Sequence, residues 1–306
     1  MAAARPRVTA AVCAYNEAAS IEQLLRKLLS RDSAFFDELL VVSSGSTDGT
    51  DGIVRGMEAE FPGLRLISEP ERRGKASAVN TALSQAQGDV LLLIDADCLP
   101  AEGCLERLLA RLAGTKVGGV GCRNVVTNAG SGWMSRAGEV LWDLHHLVCM
   151  RKPVLGGDIV AFRAVVGRIP AEAVNDDYAI EATLRSQGYD IAYEPEARVL
   201  MKAPATVLDF LRQRRRIYAG FRAETREGLV KPTQDWRLAC GAVATFSRSH
   251  PGRLPVLMLL LGLEALARLS MLVDAVRGKR GYYTAWEPAL STKGRLPESA
   301  SRERAP

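Results

Sequence analysis

The sequence has few cysteines, and its first eight residues lack the apolar stretch of a secretory signal. None of the six cysteines forms a Cys-x-x-Cys pair. We therefore interpret them as reduced thiols of a cytoplasmic protein, rather than as a disulfide or zinc framework. Residues 1–8 carry basic groups without an apolar core, which predicts that no signal peptide is present.

The composition is that of an ordinary globular protein. Hydrophobic residues make up 47% and charged residues 25% of 306 positions. These values exclude global disorder and allow one large domain, or one domain with an appendage. The net charge of +5 suits anionic small molecules, nucleic acid or an acidic membrane surface without choosing between them. Because only one arginine cluster favours nucleic acid, we predict no nucleic-acid partner.

Short apolar runs alternate with helical patterns through the first two hundred residues. Strands are predicted at 7–14, 38–43, 64–67, 90–94 and 117–126, and helices at 21–29, 52–61, 75–87 and 102–112. This alternation indicates βαβ units, and hence an α/β fold with a mostly parallel central sheet flanked by helices. Further helices are predicted over 131–150, 176–187 and 207–221.

The apolar run Val90–Ile94 leads directly into Asp95-Ala96-Asp97. Such a run is typical of a strand buried on both faces of a sheet. Residues two apart on a strand point the same way, so Asp95 and Asp97 can face one site at the sheet edge where α/β folds bind ligands. Two carboxylates there suit Mg²⁺ or Mn²⁺ together with the phosphates of a substrate. The alternative is that both serve as turn and helix caps.

This motif is one of six that, taken in order, resemble the inverting glycosyltransferases of family 2. The matching segments are 14–17, 45–50, 73–76 with Asn80, 95–97, 156–157 with 161–163, and 176–177 with 184–185 and 188–189. A single Gly-Ser-Thr-Asp turn would be weak evidence, whereas six motifs in order at the right spacing are specific. The resemblance covers about residues 8–222, and it implies a GT-A fold and a nucleotide-diphosphate sugar as donor.

The resemblance also implies a role for each matched residue at the donor site. Tyr15, Asn16 and Glu17, which follow Ala14, would line the pocket for base and ribose. Asp95 would lie near the ribose and the metal, and Asp97 would bind Mn²⁺ or Mg²⁺ directly. The other implied donor-binding residues are Arg73 and Lys75 at the diphosphate, and Gly156 and Gly157 at the sugar. For Lys75 the alternative is a solvated lysine in the first turn of a helix.

Asp177 lies where the family carries its catalytic base. An acceptor hydroxyl is a poor nucleophile until a positioned carboxylate takes its proton, so the resemblance implies that Asp177 is the catalytic residue. One base with one metal fits direct displacement with inversion, unlike the paired carboxylates of glycosidases. The alternative reading, a helix cap, applies better to Asp176.

Two positions depart from the patterns of related enzymes. The segment 213–218, Gln-Arg-Arg-Arg-Ile-Tyr, resembles the Gln-x-x-Arg-Trp signature of membrane-embedded polysaccharide synthases, in which Gln213, Arg214 and Arg216 would bind the donor. Ile217 replaces the tryptophan, which favours transfer of one or a few sugars over processive synthesis. Ser43 replaces an acidic residue that reads uracil in the family, so both uridine and guanosine donors stay open.

The C-terminal part is different in character. Residues 254–273 are strongly apolar, with Glu264 and Arg268 as the only charges inside the segment and basic residues around it. A helix in the cytoplasmic membrane interface is the preferred interpretation; a helix packed on the catalytic domain and a true span are the alternatives. We divide the chain into a catalytic domain (1–235), a helical membrane-interface region (236–290) and a flexible tail (291–306). The segment that contains Trp286-Glu287 and Ser291-Thr292-Lys293 is a candidate to fold back on the catalytic face, without an assigned role.

These features together predict a metal-dependent inverting glycosyltransferase at the inner face of the cell membrane. Its expected partners are a nucleotide-diphosphate sugar donor, a glycan or polyprenyl-linked acceptor, and the cytoplasmic membrane surface. A hydroxyl or phosphate group of the acceptor would receive the sugar. The alternative is a catalytically idle GT-A domain that binds a nucleotide sugar as a membrane assembly partner.

Overall fold

The computed structural model describes residues 5–225, 235–276 and 289–297. Within these ranges, eight strands form one sheet with helices on both faces. The strands, β1 to β8, are Val8–Ala14, Glu38–Ser44, Leu64–Glu69, Val90–Asp95, Leu99–Pro100, Val117–Val126, Ile159–Arg163 and Asp190–Met201. The α-helices, α1 to α9, are Ile21–Lys27, Thr50–Glu60, Lys75–Gln85, Cys104–Leu112, Trp133–Arg151, Asp176–Ser186, Val207–Thr225, Trp236–Ser249 and Leu254–Val276.

The sheet is parallel in its first half and mixed beyond it. The strand order is β3-β2-β1-β4-β7-β6-β8-β5. Strands β1 to β4 pair in parallel, as the sequence predicts. Strand β7, however, is inserted antiparallel between β4 and β6. The reversed strand matters for the site, because the residues that precede β7 arrive at the same edge where β4 ends.

Strand β4 is buried on both faces, which confirms the prediction from its apolar run. Leu92 and Ile94 belong to an apolar cluster that includes α1 and α4. Leu91 and Leu93 belong to a second cluster, which includes α3 and α6. Alternating side chains on a strand point to opposite faces, so a continuous apolar run is what a central strand between two helical layers requires.

A third apolar cluster joins four helices outside the sheet. Helix α9 contributes Leu257, Leu260 and Leu263, which pack with Phe210 of α7 and Phe246 of α8. Apolar residues of α5 complete the cluster. One face of α9 is therefore packed on the rest of the protein. The proposed domain boundary at residue 235 adjoins residues 226–234, which lie outside the described ranges.

Residues 289–297 lie against the catalytic domain, although 291–297 fall within the predicted flexible tail. Leu296 is buried, and its backbone bonds twice with the side chain of Gln23. The Gln23 amide donates to the Leu296 carbonyl at 2.7 Å, and the Leu296 N–H donates to Gln23 Oε1 at 2.8 Å. The remainder of the predicted tail, 298–306, lies outside the described residues, as do Trp286 and Glu287.

Candidate active site

A cleft of about 170 Å³ opens at the carboxyl ends of β1, β2 and β4. Parallel strands that end at one edge bring their following turns together. Asn16, whose φ is +53°, connects the turn after β1 with the turn after β2. Its N–H donates to Ser46 Oγ at 3.1 Å, and its Oδ1 accepts from the N–H of Thr47 at 2.8 Å. The predicted donor residues that line this cleft are Ala14, Tyr15, Glu17, Lys75, Asp95, Gln213 and Arg216, together with the predicted metal ligand Asp97.

Arg72 lines the cleft where the sequence analysis predicted Arg73. The Arg72 guanidinium carbon lies 3.8 Å from the centroid of the Tyr15 ring. Arg73 is exposed and is not among the lining residues. A cation stacked on an aromatic face forms a flat, positively charged wall, which suits the base or phosphate of a nucleotide.

At the end of β2, Ser44 lines the cleft and Ser43 does not. Ser43 is fully buried, and its hydroxyl donates to Ser46 Oγ at 2.9 Å. The Ser44 hydroxyl donates to Glu69 Oε2 at 2.8 Å. The structure thus places Ser43 beneath the turn, one residue away from the accessible position.

Glu17 is buried, and each of its carboxylate oxygens has a partner. Oε2 accepts from the Ser20 hydroxyl at 2.8 Å, and Oε1 contacts the Lys293 ammonium. The Glu17 backbone N–H donates to Thr50 Oγ1 at 2.8 Å. Lys293 comes from the C-terminal segment and lines the same cleft as Glu17.

Three carboxyl groups, those of Asp95, Asp97 and Asp158, share the floor of the cleft. Burial, and then the charges of Asp95 and Asp97, raise the pKa of Asp158 to about 8. Burial, followed by the charge of Asp95, raises the pKa of Asp97 to about 6. Carboxylates brought together out of water disfavour ionisation, so full ionisation of the floor requires a compensating cation.

The donor set of Asp95 and Asp97 fits a hard divalent cation. Their side-chain oxygens are the ligand type that Mg²⁺ and Mn²⁺ prefer. Within the described ranges, no three His, Cys, Asp or Glu side chains are placed to hold one metal ion together. The protein would therefore supply two carboxylates, and substrate phosphates and water would complete the shell.

Lys75 joins the floor of the first cleft to the start of α6. Its ammonium lies 2.7 Å from Asp95 Oδ1 and 3.2 Å from Asp176 Oδ2. Burial lowers the pKa of Lys75, but Asp176 and Asp95 together outweigh burial and hold it well above its usual range. Lys75 is therefore a fixed cation at the cleft, and not a solvated lysine.

A second cleft, of about 380 Å³, adjoins the first and shares Lys75, Asp95, Asp158, Gln213 and Arg216 with it. Asp177 lines this second cleft together with Gly156 and Gly157. A side-chain carbon added to Gly156 would lie 3.4 Å from Asp177 Oδ2 and 3.7 Å from His145 Nε2. The bare backbone of Gly156 leaves space in front of the Asp177 carboxylate.

The arginines of α7 have different surroundings. Arg216 lies in both clefts, and burial lowers its pKa to about 10 against the opposing charges of four aspartates. Arg214 lines only the second cleft, and its Nε lies 2.6 Å from Glu264 Oε1 of α9. Arg215 contacts Asp274, and Arg212 is exposed. Of these four arginines, Arg216 is the one that faces both clefts.

Sequence reasoning missed two residues at the site, Arg72 and Asp158. Lys293 belongs to the C-terminal segment for which the sequence suggested a return to the catalytic face without a role, and it lines the first cleft. Asp158 directly follows the predicted Gly156-Gly157 pair, so its position beside a glycine turn was a usable signal. The Asp95 N–H donates to the Asp158 carbonyl at 2.8 Å, which follows from the antiparallel entry of β7. Asn124 donates to Asp158 Oδ1 at 2.9 Å and fixes its side chain.

Comparison with known protein families gives two overlapping matches. Residues 9–165 match the model of Glycosyl transferase family 2, and residues 90–286 match that of Glycosyl transferase family group 2. Glycosyltransferase AglE of Haloferax volcanii is 36% identical over 124 residues, 40% of each chain. Beta-monoglucosyldiacylglycerol synthase of Synechocystis sp. is 25% identical over 248 residues, 77% of this chain and 50% of the relative. The chain thus spans half or less of the length of these two curated relatives.

Two solved structures share the fold. The mannosyltransferase PcManGT of Pyrobaculum calidifontis, in complex with GDP-Man and Mn²⁺, has a TM-score of 0.62 and 27% identity, covering 91% of this chain and 88% of that one. Glucosyl-3-phosphoglycerate synthase of Mycobacterium tuberculosis, with Mn²⁺, UDP and phosphoglyceric acid, has a TM-score of 0.51 and 21% identity, covering 74% and 81%. These similarities confirm the predicted α/β fold of the GT-A type, whose sheet is mixed.

Proposed function

We propose, on the premise that the chain belongs to glycosyl transferase family 2, that it is a metal-dependent inverting glycosyltransferase. Its donor would be a nucleotide-diphosphate sugar, and its acceptor a hydroxyl or phosphate group of a lipid-linked or cell-envelope glycan. The association with a membrane, the dependence on a metal and the kind of acceptor are parts of this proposal. The named ligands of the related structures, GDP-Man and UDP with Mn²⁺, support a nucleotide donor and a divalent cation.

The proposal rests on one observation. Lys75 contacts both Asp95 and Asp176, and Asp177, the next residue after Asp176, lines the adjoining cleft. The carboxylates suited to a cation are thereby held beside the carboxylate suited to a base. A transferase needs these two functions on either side of the bond that changes. In an idle binding domain, nothing would require Asp177 to face an open cleft.

The chain's own residues account for most of the proposed step. Asp177 would take the proton of the acceptor hydroxyl as that oxygen bonds to the anomeric carbon. The bond from the anomeric carbon to the donor phosphate breaks at the same time, and the diphosphate leaves with the electron pair. Arg216 and Lys75 would stabilise the charge that develops on the departing diphosphate. Mn²⁺ or Mg²⁺, held by Asp95 and Asp97, would withdraw electrons from the same phosphates.

The second cleft has the character expected for an amphipathic acceptor. Near Asp177 it is polar, whereas further walls come from Trp142 of α5, Val243 of α8 and Leu260 of α9. An apolar chain could lie along these walls while its head group reaches the base. Ile217 also lines this cleft, and it offers no aromatic ring for stacking a growing glycan. These features support a lipid-linked acceptor and non-processive transfer.

Helix α9 supports a membrane interface at this side of the molecule. Its two acidic residues point inward: Glu264 pairs with Arg214, and Asp274 contacts Arg215. Arg268 is exposed, and its guanidinium lies over the Tyr218 ring. Its outer face exposes Leu254, Met258, Leu261, Leu266, Leu269, Leu272 and Val273. A helix whose exposed side chains are mostly apolar suits the headgroup boundary. By length and mean hydropathy, 2.1 over its best window, Pro251–Asp274 also meets the criterion for a span, which alone is weak evidence.

Two of the basic residues that flank this helix lie within the described ranges, and they have different surroundings. Arg253 lies 3.3 Å from Glu139 Oε2 and 3.5 Å from Asp143 Oδ2 of α5. Its charge is therefore engaged within the protein. Arg248 is exposed and open to a lipid headgroup. The other predicted flanking residues, Arg277, Lys279 and Arg280, lie outside the described residues.

The experiment that tests the function is a donor screen. Purified chain with Mn²⁺ is incubated with GDP-linked and UDP-linked sugars, and the released nucleoside diphosphate is measured with and without a polyprenyl phosphate. We expect slow release from one nucleotide class, accelerated by the acceptor. Binding of a nucleotide sugar with no release under any condition would instead support the idle binding domain.

A further inference from the structure

The C-terminal segment 289–297 crosses the mouth of the first cleft between two anchor points. At one end, the Ser291 hydroxyl donates to Asp209 Oδ2 of α7 at 2.5 Å, and the Ala205 N–H donates to Ser291 Oγ at 3.2 Å. At the other end, Leu296 is buried and bonds twice with Gln23 of α1. We call residues 289–297 the strap.

Between these anchors, the strap presents its own residues to the cleft. Ala289, Thr292 and Lys293 line it, and the Lys293 side chain is 18% exposed. Gly294 has a φ of +110°, a conformation that glycine adopts without strain. This turn lets Lys293 face the cleft while Arg295, which is 74% exposed, faces solvent and pairs with Glu22 at 3.5 Å.

We infer that Lys293 is a donor-binding residue, and that the strap forms one wall of the nucleotide pocket. The inference rests on the proposed function, since it names a further part of the same site. The ligand class is a nucleoside diphosphate, which is polyanionic. Arg72, Lys75 and Arg216 line the same cleft, and Lys293 adds a fourth cationic side chain at its mouth, which suits such a ligand.

Lys293 also fixes the Glu17 carboxylate, which lines the same cleft. Glu17 is buried, and its oxygens are held by Ser20 and Lys293. A buried carboxylate without its cation would lose a charge-assisted hydrogen bond and change its orientation. Loss of Lys293 should therefore weaken nucleotide binding in two ways, through its own charge and through Glu17.

The test is calorimetric titration of GDP and UDP, with Mn²⁺, into the full chain and four variants. For the nucleotide that the wild type binds, we expect Lys293→Met to raise the Kd about tenfold, the size expected for one charge-assisted hydrogen bond. Lys293→Arg, which keeps the charge, should stay within about threefold of the wild type. Gln23→Ala, which releases one anchor of the strap, should weaken binding in the same direction.

Arg295→Gln is the matched control, because it removes a positive charge from the same strap without facing the cleft. It should leave the Kd unchanged, and circular dichroism should show that Lys293→Met is folded at the temperature of the titration. A wild-type Kd for Lys293→Met, or an equal loss for Arg295→Gln, would overturn the inference while the proposed function stands. A wild-type chain that binds neither nucleotide would overturn both.

Discussion

The Lys75 ammonium lies 2.7 Å from Oδ1 of Asp95, although the two residues belong to different elements. Because Lys75 also contacts Asp176, one cation connects the end of β4 with the start of α6. In the ligand-free protein, this contact neutralises part of the negative charge at the floor. In the proposed donor complex, the same ammonium would contact the diphosphate.

Asp177→Asn should abolish sugar transfer and leave nucleotide binding intact. The amide keeps the shape of the side chain but cannot accept the proton of an acceptor hydroxyl. We expect the rate of transfer to fall by about a hundredfold to ten-thousandfold, the range for loss of a general base. Steady-state transfer assays measure this loss, with the exposed Asp190→Asn as control. Normal transfer by Asp177→Asn would remove Asp177 from the mechanism.

Arg72→Ala and Arg73→Ala form a matched pair that tests the position of the cationic wall. Arg72 stacks on Tyr15 inside the cleft, whereas Arg73 is exposed. Loss of Arg72 should weaken nucleotide binding by about threefold to thirtyfold, the range of one cation–π contact with a partly desolvated partner. Arg73→Ala should bind as the wild type does in a fluorescence or calorimetric titration. Weakened binding by Arg73→Ala with normal binding by Arg72→Ala would instead support Arg73, the residue predicted from the sequence.

Leu269→Glu should weaken membrane association. Leu269 is 59% exposed on the outer face of α9, and a charge there is costly at a lipid boundary. We expect roughly a tenfold lower partition into anionic vesicles, comparable with the free energy of burying one leucine. The control is Val165→Glu. Val165 is an exposed apolar residue that follows β7, at the end of the strands opposite to the clefts. Equal pelleting of wild type and Leu269→Glu would reject the membrane face.

Asp32→Asn should stabilise the protein at neutral pH and not in acid. Burial raises the pKa of Asp32 to about 6 despite Lys27 and Arg31, and Oδ2 has no hydrogen-bond partner in the structure. Since the folded-state pKa exceeds the unfolded value, the native state is penalised once the carboxyl ionises, and the penalty disappears below the unfolded pKa.

Urea unfolding at pH 8 and at pH 3 measures this effect. The free energy of unfolding of Asp32→Asn should exceed that of the wild type by about 1 to 2 kcal/mol at pH 8, and the two should agree at pH 3. Asp190→Asn, at an exposed site, should show no difference at either pH. The same gain at both pH values would mean that ionisation of Asp32 is not its cause.

The parts of the site that could be predicted from the sequence are those whose position is determined by neighbouring residues in the chain. Asp95 is the last residue of β4 and Asp97 lies in the turn that follows, so their nearness in the chain, rather than strand alternation, brings both to the cleft. The Tyr15 and Lys75 assignments also depend on the ends of β1 and on the start of α3. Both residues line the cleft.

The other parts of the site depend on loop conformation and on contacts between distant parts of the chain, which no local sequence pattern encodes. Arg72 and Arg73 differ by one position in an irregular loop, where no periodicity fixes which of them faces inward. Asp158 reaches the floor because β7 enters antiparallel, a choice made by packing of the whole sheet. Lys293 meets Glu17 across 276 positions of sequence. Such a contact becomes visible only when the tertiary structure is known.

The most direct measurement of the central claim is calorimetric titration of the nucleoside diphosphate that the wild type binds, before and after removal of divalent metal. The account predicts measurable binding with Mn²⁺, loss of at least about tenfold in affinity after chelation, and a similar loss for Asp97→Ala in the presence of Mn²⁺. The Asp190→Ala control should bind normally. Affinity that is unaltered both by chelation and by Asp97→Ala would contradict the account.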